Sequence, residues 1–595
     1  NEEYLSSPNL AAARGKGFNS WTNAAQLVVD DPIHPNHKRL VRPQELGLEV
    51  PSPDPSAPAS VKPTEYFTVV DRSTGQPARH DNVQTGDLFF NGEVTDAAGK
   101  SVKVKTAFVL LKESVFSGTV PEYAKICGVP EDKIVEIATE LSGHGTKTAV
   151  DGMGNTAATN GFDAAFAQYL LSAMTGSVNK KGGMLTRRNS YKNFAAGPRY
   201  NLAAFANRPA SKGAVQDELK KVERVPLIIA LDAFMGETTA LADYIIPDTT
   251  PYESWGLANT EGSCPGKVTT LRWPVVQPLT AKLPDGRFAC FENYVIDVAK
   301  RIGLPGFGDQ AIQGADKKFY PLHQPADYFL KAAANAAFDG DGVPDLSERE
   351  AKWQALDEAT AAWKNALTPQ EWPKVSYLIS RGGRFEEFGL GFKGDNHNYP
   401  YTGCINIYVE RLAMAKNSFT GKPYSGTFSY TPECFADGTP LEQVFTTDKW
   451  PFKAVSYKAK FRSISMLANT SLRNLNKTNA IEVNPQDAEA LGLKDGQKVK
   501  LIAATGGVAV GLLKTRAGIA RGTVAVAFGY GHWEYGARAH QVDGKSAGGD
   551  PSIGTGVNLA SISLIDPKVK TVFGYSEMST GTAGRNGGAF RIEKA

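Results

Sequence analysis

Cysteine is scarce. Five occur among 595 residues, Cys127, Cys264, Cys290, Cys404 and Cys434, with no C-x-x-C and no pair closer than 26 residues. That spacing excludes an iron–sulfur or zinc cassette within this chain. An odd, sparse set also argues against a disulfide framework, so each thiol reads as a small buried hydrophobe. The eight histidines are dispersed; His34-Pro-Asn-His37 is the one close pair, and its Pro-rich loop makes a poor metal site, so no metal ligands are assigned. No apolar run approaches the 18 or so residues of a membrane span. Charge of one sign is lacking too: 65 Lys and Arg against 62 Asp and Glu leave +3, too balanced for a general nucleic-acid binder. Any anion site must therefore be local. The chain opens at Asn1 with no Met, basic n-region or apolar h-region, and the expectation is that the start of the gene product lies upstream.

What is present is ordinary globular composition, 42% hydrophobic and 21% charged, which excludes a wholly disordered chain, at a length that implies three or four domains. Residues 1–110 read as loops with a small β element, in stretches such as Tyr66-Phe-Thr-Val-Val70 and Val102-Lys-Val-Lys-Thr-Ala-Phe-Val109. Pro130–Leu141 spaces its apolar residues as a helix. Then come a short strand, Thr146–Val150, a glycine turn, Asp151–Ala157, and an apolar helix, Phe162–Met174, the unit of a doubly wound sheet. A second unit starts at Pro226-Leu-Ile-Ile-Ala-Leu-Asp232, whose near-continuous apolar run predicts a strand buried on both faces. Asp232 would sit at its carboxyl end, where open α/β sheets bind ligands. Thr239–Asp248 reads as a short helix passing into another buried strand. Residues 326–366 are helical around an acidic turn, Asp339–Asp345, that lacks the glutamate spacing of a Ca²⁺ loop. After about residue 450, Gln497–Ile502, Gly507–Leu513 and Gly522–Ala527 are short strands between glycine turns, which predicts a closed barrel or sandwich.

Gly152-Met-Gly-Asn-Thr-Ala157 fits G-x-G-x-x-A between strand and helix, so its N–H groups could approach a pyrophosphate. A nicotinamide cofactor also needs a carboxylate about 20 residues on. From Ala164 to Gln216 there is no Asp or Glu at all, which disfavours NAD. The same stretch holds Lys180, Lys181, Arg187, Arg188, Lys192, Arg199, Arg208 and Lys212, either a solvated basic face or the wall of a polyanion site.

Taken in order, five segments resemble the molybdopterin oxidoreductases of the dimethyl sulfoxide reductase superfamily: Gly128–Ala138, the Gly152–Gly161 loop, Leu171–Gly183, Asp232–Pro247 with Glu253, and Asn479–Gly496. Within that superfamily, Tyr4–Asn9, Ser20–Ala25, Asp31–Pro35, Ser380–Glu386 and Phe528–Arg538 look like the tetrathionate reductase branch, near the arsenate and selenate reductases. The resemblance implies an α/β fold, Rossmann-like parallel-sheet cofactor-binding domains followed by a C-terminal β-barrel. It divides the chain into a loop-rich 1–110, a dinucleotide-binding 111–250, a second α/β region 251–375, a linker and substrate-funnel segment 376–451, and a barrel 452–595. It implies reduction of tetrathionate to thiosulfate at a molybdenum bis(molybdopterin guanine dinucleotide) centre, where the metal carries the redox step and the protein supplies position and electrostatics.

Residue by residue, the resemblance places Gly152, Gly154, Asn155, Asp232, Glu237 and Thr238 against one dinucleotide. It places Lys458, Lys460, Arg462, Ser463 and Asn558 against the cofactor pair from the barrel side. Cationic and amide donors suit pyrophosphate and pterin acceptors, and a carboxylate can accept bidentately from guanine. For the small anionic substrate the candidates are Arg381, Arg384, His532 and Arg538, because the arginine fork suits sulfonate oxygens; Arg381 and Arg384, beside Glu386, could instead brace a loop. The family's 4Fe-4S motif and molybdenum ligand are expected upstream of Asn1, leaving the catalytic ligand unknown here. An iron–sulfur electron-transfer subunit, a membrane quinol-oxidising subunit and twin-arginine export to the periplasm are implied, although no export signal is visible. The connection from Tyr200 to Pro226 is short for this branch, and the expectation is that the sequence joins across a segment lying between them. Competing readings are an arsenate, selenate, polysulfide or thiosulfate reductase of the same superfamily, a non-catalytic scaffold with the inherited fold, and a plain dinucleotide-dependent dehydrogenase.

Overall fold

The computed structural model describes residues 1–595 except 53–63, 153, 187–188, 195–196, 203–225, 260–263, 464–465 and 570–573. The expected join between Tyr200 and Pro226 therefore lies almost wholly outside the described residues, as do Arg187, Arg188, Arg208 and Lys212. The architecture is mixed α/β with a closed six-stranded barrel at the C-terminal side.

The N-terminal region is more ordered than its loop-like sequence suggests. Leu27–Val29, Ser101–Thr106 and Asn91–Thr95 form an antiparallel sheet, and helix α1 (Ala107–Val115) starts immediately after it, capped by the Thr106 hydroxyl. Around this sheet pack Tyr4, Leu5, Ile405, Ile407 and Tyr408, all buried. Residues from 405 to 410 are fastened here. Asn23 donates to the Tyr408 carbonyl (2.7 Å) and accepts from Ile407 N (2.8 Å), while Glu410 pairs with Arg42 (2.7 Å).

Helix α2 (Glu131–Gly143) follows Pro130 as its spacing predicts, yet none of its residues is buried. Helix α3 (Gly161–Thr175) is where the apolar run Phe162–Met174 placed it and ends on Gly176 in the left-handed region (φ 73°). The strand expected at Thr146–Val150 does not form. No ladder partner runs beside it among the described residues, and the Thr148 hydroxyl lies instead 3.2 Å from the Gly145 carbonyl and 3.0 Å from the Thr175 hydroxyl. Strands β1 (Ile229–Asp232) and β2 (Tyr244–Pro247) do pair in parallel. They are not buried on both faces as the apolar run suggested: Tyr244 is 66% and Ile245 41% exposed. The pair gains no third strand among the described residues, so continuous apolar sequence here reports composition and not burial.

A second core, between residues 191 and 379, packs helix α4 (Pro325–Phe338) against helix α5 (Trp372–Arg381). Its sheets, Gly256–Asn259 with Val268–Arg272 and Gly383–Phe385, and Phe319–Leu322 with Gly308–Gly314 and Tyr200–Leu202, are antiparallel. Glu371, fully buried, accepts from Arg199 Nε (2.8 Å), the Tyr200 hydroxyl (2.9 Å) and Thr368 N (2.9 Å), so that the buried group is hydrogen-bonded on both oxygens.

The barrel strands are β3 (Phe452–Lys458), β4 (Ala480–Val483), β5 (Lys498–Ala503), β6 (Val508–Thr515), β7 (Thr523–Phe528) and β8 (Gly587–Lys594), in the spatial order β3-β7-β4-β6-β5-β8 and back to β3. β3 with β7 and β4 with β6 are parallel; the other neighbours are antiparallel. Alternation in Lys498-Val-Lys-Leu-Ile-Ala503 turns Val499 and Leu501 inward, where they meet Ile481, Val483, Val524 and Val526 with no exposed surface. Closure leaves no free sheet edge. Of the cysteines, Cys290 is buried but Cys127, at the end of an exposed helix, is not.

Asn479 closes one rim of the barrel. Its amide donates to the Ala527 carbonyl (2.7 Å) and the Val557 carbonyl (2.8 Å), and its oxygen accepts from Val557 N (2.7 Å). Asn479→Ala should lower barrel stability by about 3 kcal/mol, since three buried backbone groups lose their partner at once; the urea midpoint of the transition reported by barrel fluorescence measures it.

Candidate functional site

Two irregular segments of the α/β region face two loops of the barrel, and the contacts between them define the candidate site. The first is the turn before α3. Gly154–Ala157 forms a short 3₁₀ helix that includes Asn155. Gly161 is required there, because a Cβ would lie 2.1 Å from the Thr156 carbonyl oxygen. Gln168 donates to the Gly152 carbonyl (3.1 Å), and Asn586, at the entry to β8, donates to the Gly154 carbonyl (2.7 Å). In the first turn of α3, burial pushes the Asp163 carboxyl up to about 6, eased by Thr431 and reinforced by Glu577. A cleft of about 1020 Å³ borders Ala158 and Asn160. Glu122, Glu433 and Glu442 in its wall outnumber Lys125 and Lys453, so its charge does not suit a polyanion.

The second segment is the loop after β1. Asp232 Oδ1 accepts from Phe234 N (3.1 Å) and Oδ2 from the Thr239 hydroxyl (3.1 Å). The strand-end carboxylate is thus held in place by its own loop. Thr238 is exposed. Glu237 reaches across to the barrel loop Phe528–Arg538, with Oε1 2.9 Å from His532 Nδ1. Beside it the Met235 carbonyl accepts from Tyr535 N (2.8 Å), and Tyr535, at φ 56°, gives its own carbonyl to both terminal nitrogens of Arg473 (2.8 and 2.6 Å). Burial raises the Glu237 carboxyl, but the His532 hydrogen bond and charge, with the N–H groups of Glu237 and Glu534, outweigh it and hold the group below its ordinary value.

On the barrel side, Lys458 and Lys460 are exposed at the end of β3. Arg462 is buried, donates through Nη2 to the Asn476 carbonyl (2.9 Å) and lies over the Tyr530 ring (4.5 Å). Its Nε and the Tyr530 hydroxyl are buried without a hydrogen-bond partner among the described residues. Ser463 is half-buried. Asn558 Oδ1 accepts from Ala560 N (3.1 Å) and so caps the turn Leu559–Ile562.

Residues 452–559 match the molydopterin dinucleotide binding domain family, a match that begins on the first residue of β3 and ends one residue beyond Asn558. Over its whole length the chain is 31% identical to a tetrathionate reductase subunit of Salmonella typhimurium and spans 64% of that protein. It is 26% identical to the corresponding tetrathionate reductase subunit of Archaeoglobus fulgidus, over 89% of this chain and 54% of that one. The chain is thus similar to these reductase subunits, with residues 452–559 similar to a molydopterin dinucleotide binding domain. A selenate reductase subunit of Mesobacillus selenatarsenatis is 25% identical over 96% of this chain and 61% of its own length. The chain thus spans between about half and two thirds of these relatives.

The donor set fits a pyrophosphate-bearing dinucleotide. It offers the exposed Lys458 and Lys460 at the end of β3 and two buried donors, Arg462 Nε and the Tyr530 hydroxyl, without a hydrogen-bond partner among the described residues. Four of the sequence-derived candidates acquire different roles. Arg384 gives Nη1 to the Ala336 and Asp339 carbonyls (2.8 and 2.7 Å) and Nη2 to the Gly342 carbonyl (3.2 Å), which closes the end of α4. Arg381 stacks on Tyr377 and pairs with Glu350 (2.7 Å). Neither presents a free fork to a dianion, and neither pairs with Glu386, which accepts instead from Lys267 N (2.9 Å) and the Tyr399 hydroxyl (2.6 Å). Glu237 and His532, read as cofactor and substrate residues, are given to each other. Arg538 remains 68% exposed, its one ion pair among the described residues a long contact to buried Glu534 (3.5 Å).

The acid-free basic stretch is not one patch among the described residues: Arg199 serves Glu371, and Lys180 caps the Gly17 carbonyl over the Phe18 ring. Sequence reading missed Asn479, Arg473, Glu534 and Asn586. The first lies within a family segment; a lone arginine, glutamate or asparagine near glycines carries no periodic signal.

Arg384→Ala should lower stability by about 2–4 kcal/mol, because three carbonyls lose a charged donor, while the KM for an anionic substrate stays unchanged; thermal unfolding and steady-state kinetics separate the two. The Glu237 clasp, with its carboxyl depressed in the folded protein, contributes in full above the ordinary value of 4.5 and is lost as pH falls through the lower folded value. Protection factors of the 530–538 amides, corrected for the intrinsic pH dependence of exchange, should fall as the Glu237 carboxylate is protonated, and Glu237→Ala should show the same loss of protection at pH 7.

Proposed function

We propose that this chain is the catalytic subunit of a molybdenum-dependent respiratory reductase that cleaves the S–S bond of tetrathionate, two electrons yielding two thiosulfate ions. The observation that carries the reading is 31% identity along the entire chain to a tetrathionate reductase subunit, against 25% to a selenate reductase subunit. When bound, molybdenum bis(molybdopterin guanine dinucleotide) supplies two-electron redox chemistry. The chain's own residues bind and orient. The Gly154–Ala157 turn brings backbone close to a pyrophosphate at the start of α3. Asp232, fixed by Phe234 N and Thr239, is set to accept from guanine N–H groups. Lys458 and Lys460 neutralise phosphate, and Arg462 and Tyr530 offer buried donors. Arg538, with most of its fork unengaged among the described residues, is the cation best placed to meet a dianion, and Glu237 holds His532 on the same loop.

In this reading a 4Fe-4S cluster in the same polypeptide relays electrons from an iron–sulfur subunit, itself served by a membrane quinol-oxidising subunit, in the periplasm. Each of the three relatives is named as one subunit of its reductase, which supports a multi-subunit enzyme. No helix among the described residues is long and apolar enough to cross a membrane.

The test is an acceptor comparison on the full-length, cofactor-loaded polypeptide with reduced viologen as donor. Tetrathionate should give the highest kcat/KM, with two thiosulfates formed per tetrathionate. Preference for selenate or arsenate would move the substrate within the superfamily, and absence of bound molybdenum and guanine would make the chain a scaffold. Arg538→Ala should raise the KM for tetrathionate about tenfold, the loss of one charge-assisted contact.

A further inference from the structure

Asn586 stands just ahead of β8, and its side chain is divided between two parts of the molecule that are far apart in sequence. Nδ2 donates to the Gly154 carbonyl at 2.7 Å, across 432 positions. Oδ1 accepts from Ser456 N (2.9 Å) and from the Ser456 hydroxyl (3.0 Å), both on β3. The backbone N–H of the same residue donates to the Ala157 carbonyl (2.8 Å). One residue thus holds the first and last carbonyls of the 3₁₀ turn while it is itself tied to the barrel.

The chemical consequence lies in peptide geometry. All peptide bonds among the described residues are trans, and in a trans unit the N–H points opposite to the C=O. Drawing the Gly154 and Ala157 carbonyls toward Asn586 turns the N–H groups of Asn155 and Ala158 the other way. For a turn that meets an anion through its N–H groups, that orientation decides whether the turn binds at all. The residues that follow are fixed from the same side. Cys434 N donates to the Thr159 hydroxyl (3.2 Å), and Asn160 Nδ2 donates to the Thr431 carbonyl (2.9 Å). Tyr575 lies against Thr159 (3.4 Å). Asn586 is the member of this seam that touches the turn itself.

We propose that Asn586 is a positioning residue for the dinucleotide, orienting the Gly154–Ala157 turn from the barrel; this rests on the reading of that turn as a cofactor contact. No other amino acid reproduces the division easily. Asp keeps the acceptor for Ser456 but sets a carboxylate oxygen against the Gly154 carbonyl, and Ala loses both connections.

The decisive experiment compares Asn586→Asp with the wild type as full-length, cofactor-loaded protein, by amide hydrogen exchange and by guanine nucleotide released per polypeptide on denaturation. Exchange at residues 154–158 should quicken about three- to tenfold, as expected for one lost hydrogen bond, with exchange in β4, β6 and β7 unchanged, and guanine retention should fall by a similar factor. Asn586→Ala should give the same local pattern. Wild-type exchange at 154–158 in the Asp variant overturns the proposal, as does a loss of guanine accompanied by equal acceleration throughout the barrel, which would mark a general structural role. A wild-type protein that contains no guanine overturns the functional reading instead, and the exchange comparison still decides whether Asn586 holds the turn.

Discussion

Irregular backbone packed between two folded bodies has to find hydrogen-bond partners without the help of a helix or a ladder. That constraint shapes this molecule more than any single charge. The two irregular segments of the α/β region and the loops of the barrel leave their carbonyls and N–H groups facing one another, and side chains of intermediate length complete the pairing. Asn479 closes the barrel rim, Arg473 gathers the Tyr535 carbonyl, and Asn586 joins turn to strand. Glycine allows the close approach, as at Gly161, but it is the amide and guanidinium groups that give the approach one geometry.

The arginines illustrate how burial reassigns charge. A guanidinium has five donors in a fixed fork, and wherever backbone carbonyls converge at a helix end it satisfies several at once. Arg384 does this at the end of α4, whereas Arg473 turns both terminal nitrogens onto the single carbonyl of Tyr535. Such residues resemble anion receptors in a sequence and act as backbone receptors in the fold. Exposure separates the two cases: Arg538 stays largely in solvent with a long ion pair, while Arg384 is saturated by carbonyls.

Much of the frame is legible in the sequence because it follows from periodicity. The helix at 131–143 and the strands at 498–503, 508–515 and 523–528 declare themselves by spacing of 3.6 or 2 and by flanking turn residues, and the helix at 161–175 by its apolar run. The barrel follows from the density of short alternating strands. Where expectation failed, the determinant was non-local. Thr146–Val150 has strand-like residues but no neighbour to pair with among the described residues. Ile229–Asp232 is apolar yet incompletely covered, since burial depends on what packs over it. The site was half legible. Glycine spacing and the strand-end Asp232 marked its α/β side, whereas the Glu237–His532 pairing and the Asn586 bridge join positions separated by 295 and 432 residues, and no local pattern encodes such distances.

The placement of β8 bears on the order in which the molecule is made. This strand, residues 587–594, fills the gap between β5 and β3, so the barrel stays open on the ribosome until those residues emerge. Chains generally fold from the N-terminal side as they are synthesised, and α3 with its glycine turn can be in place hundreds of residues earlier. The turn nevertheless gains its barrel-side anchor only when Asn586 arrives with the closing strand. Maturation of the turn is thereby coupled to completion of the barrel, and a partly translated chain presents the turn without the grip that fixes its peptide planes.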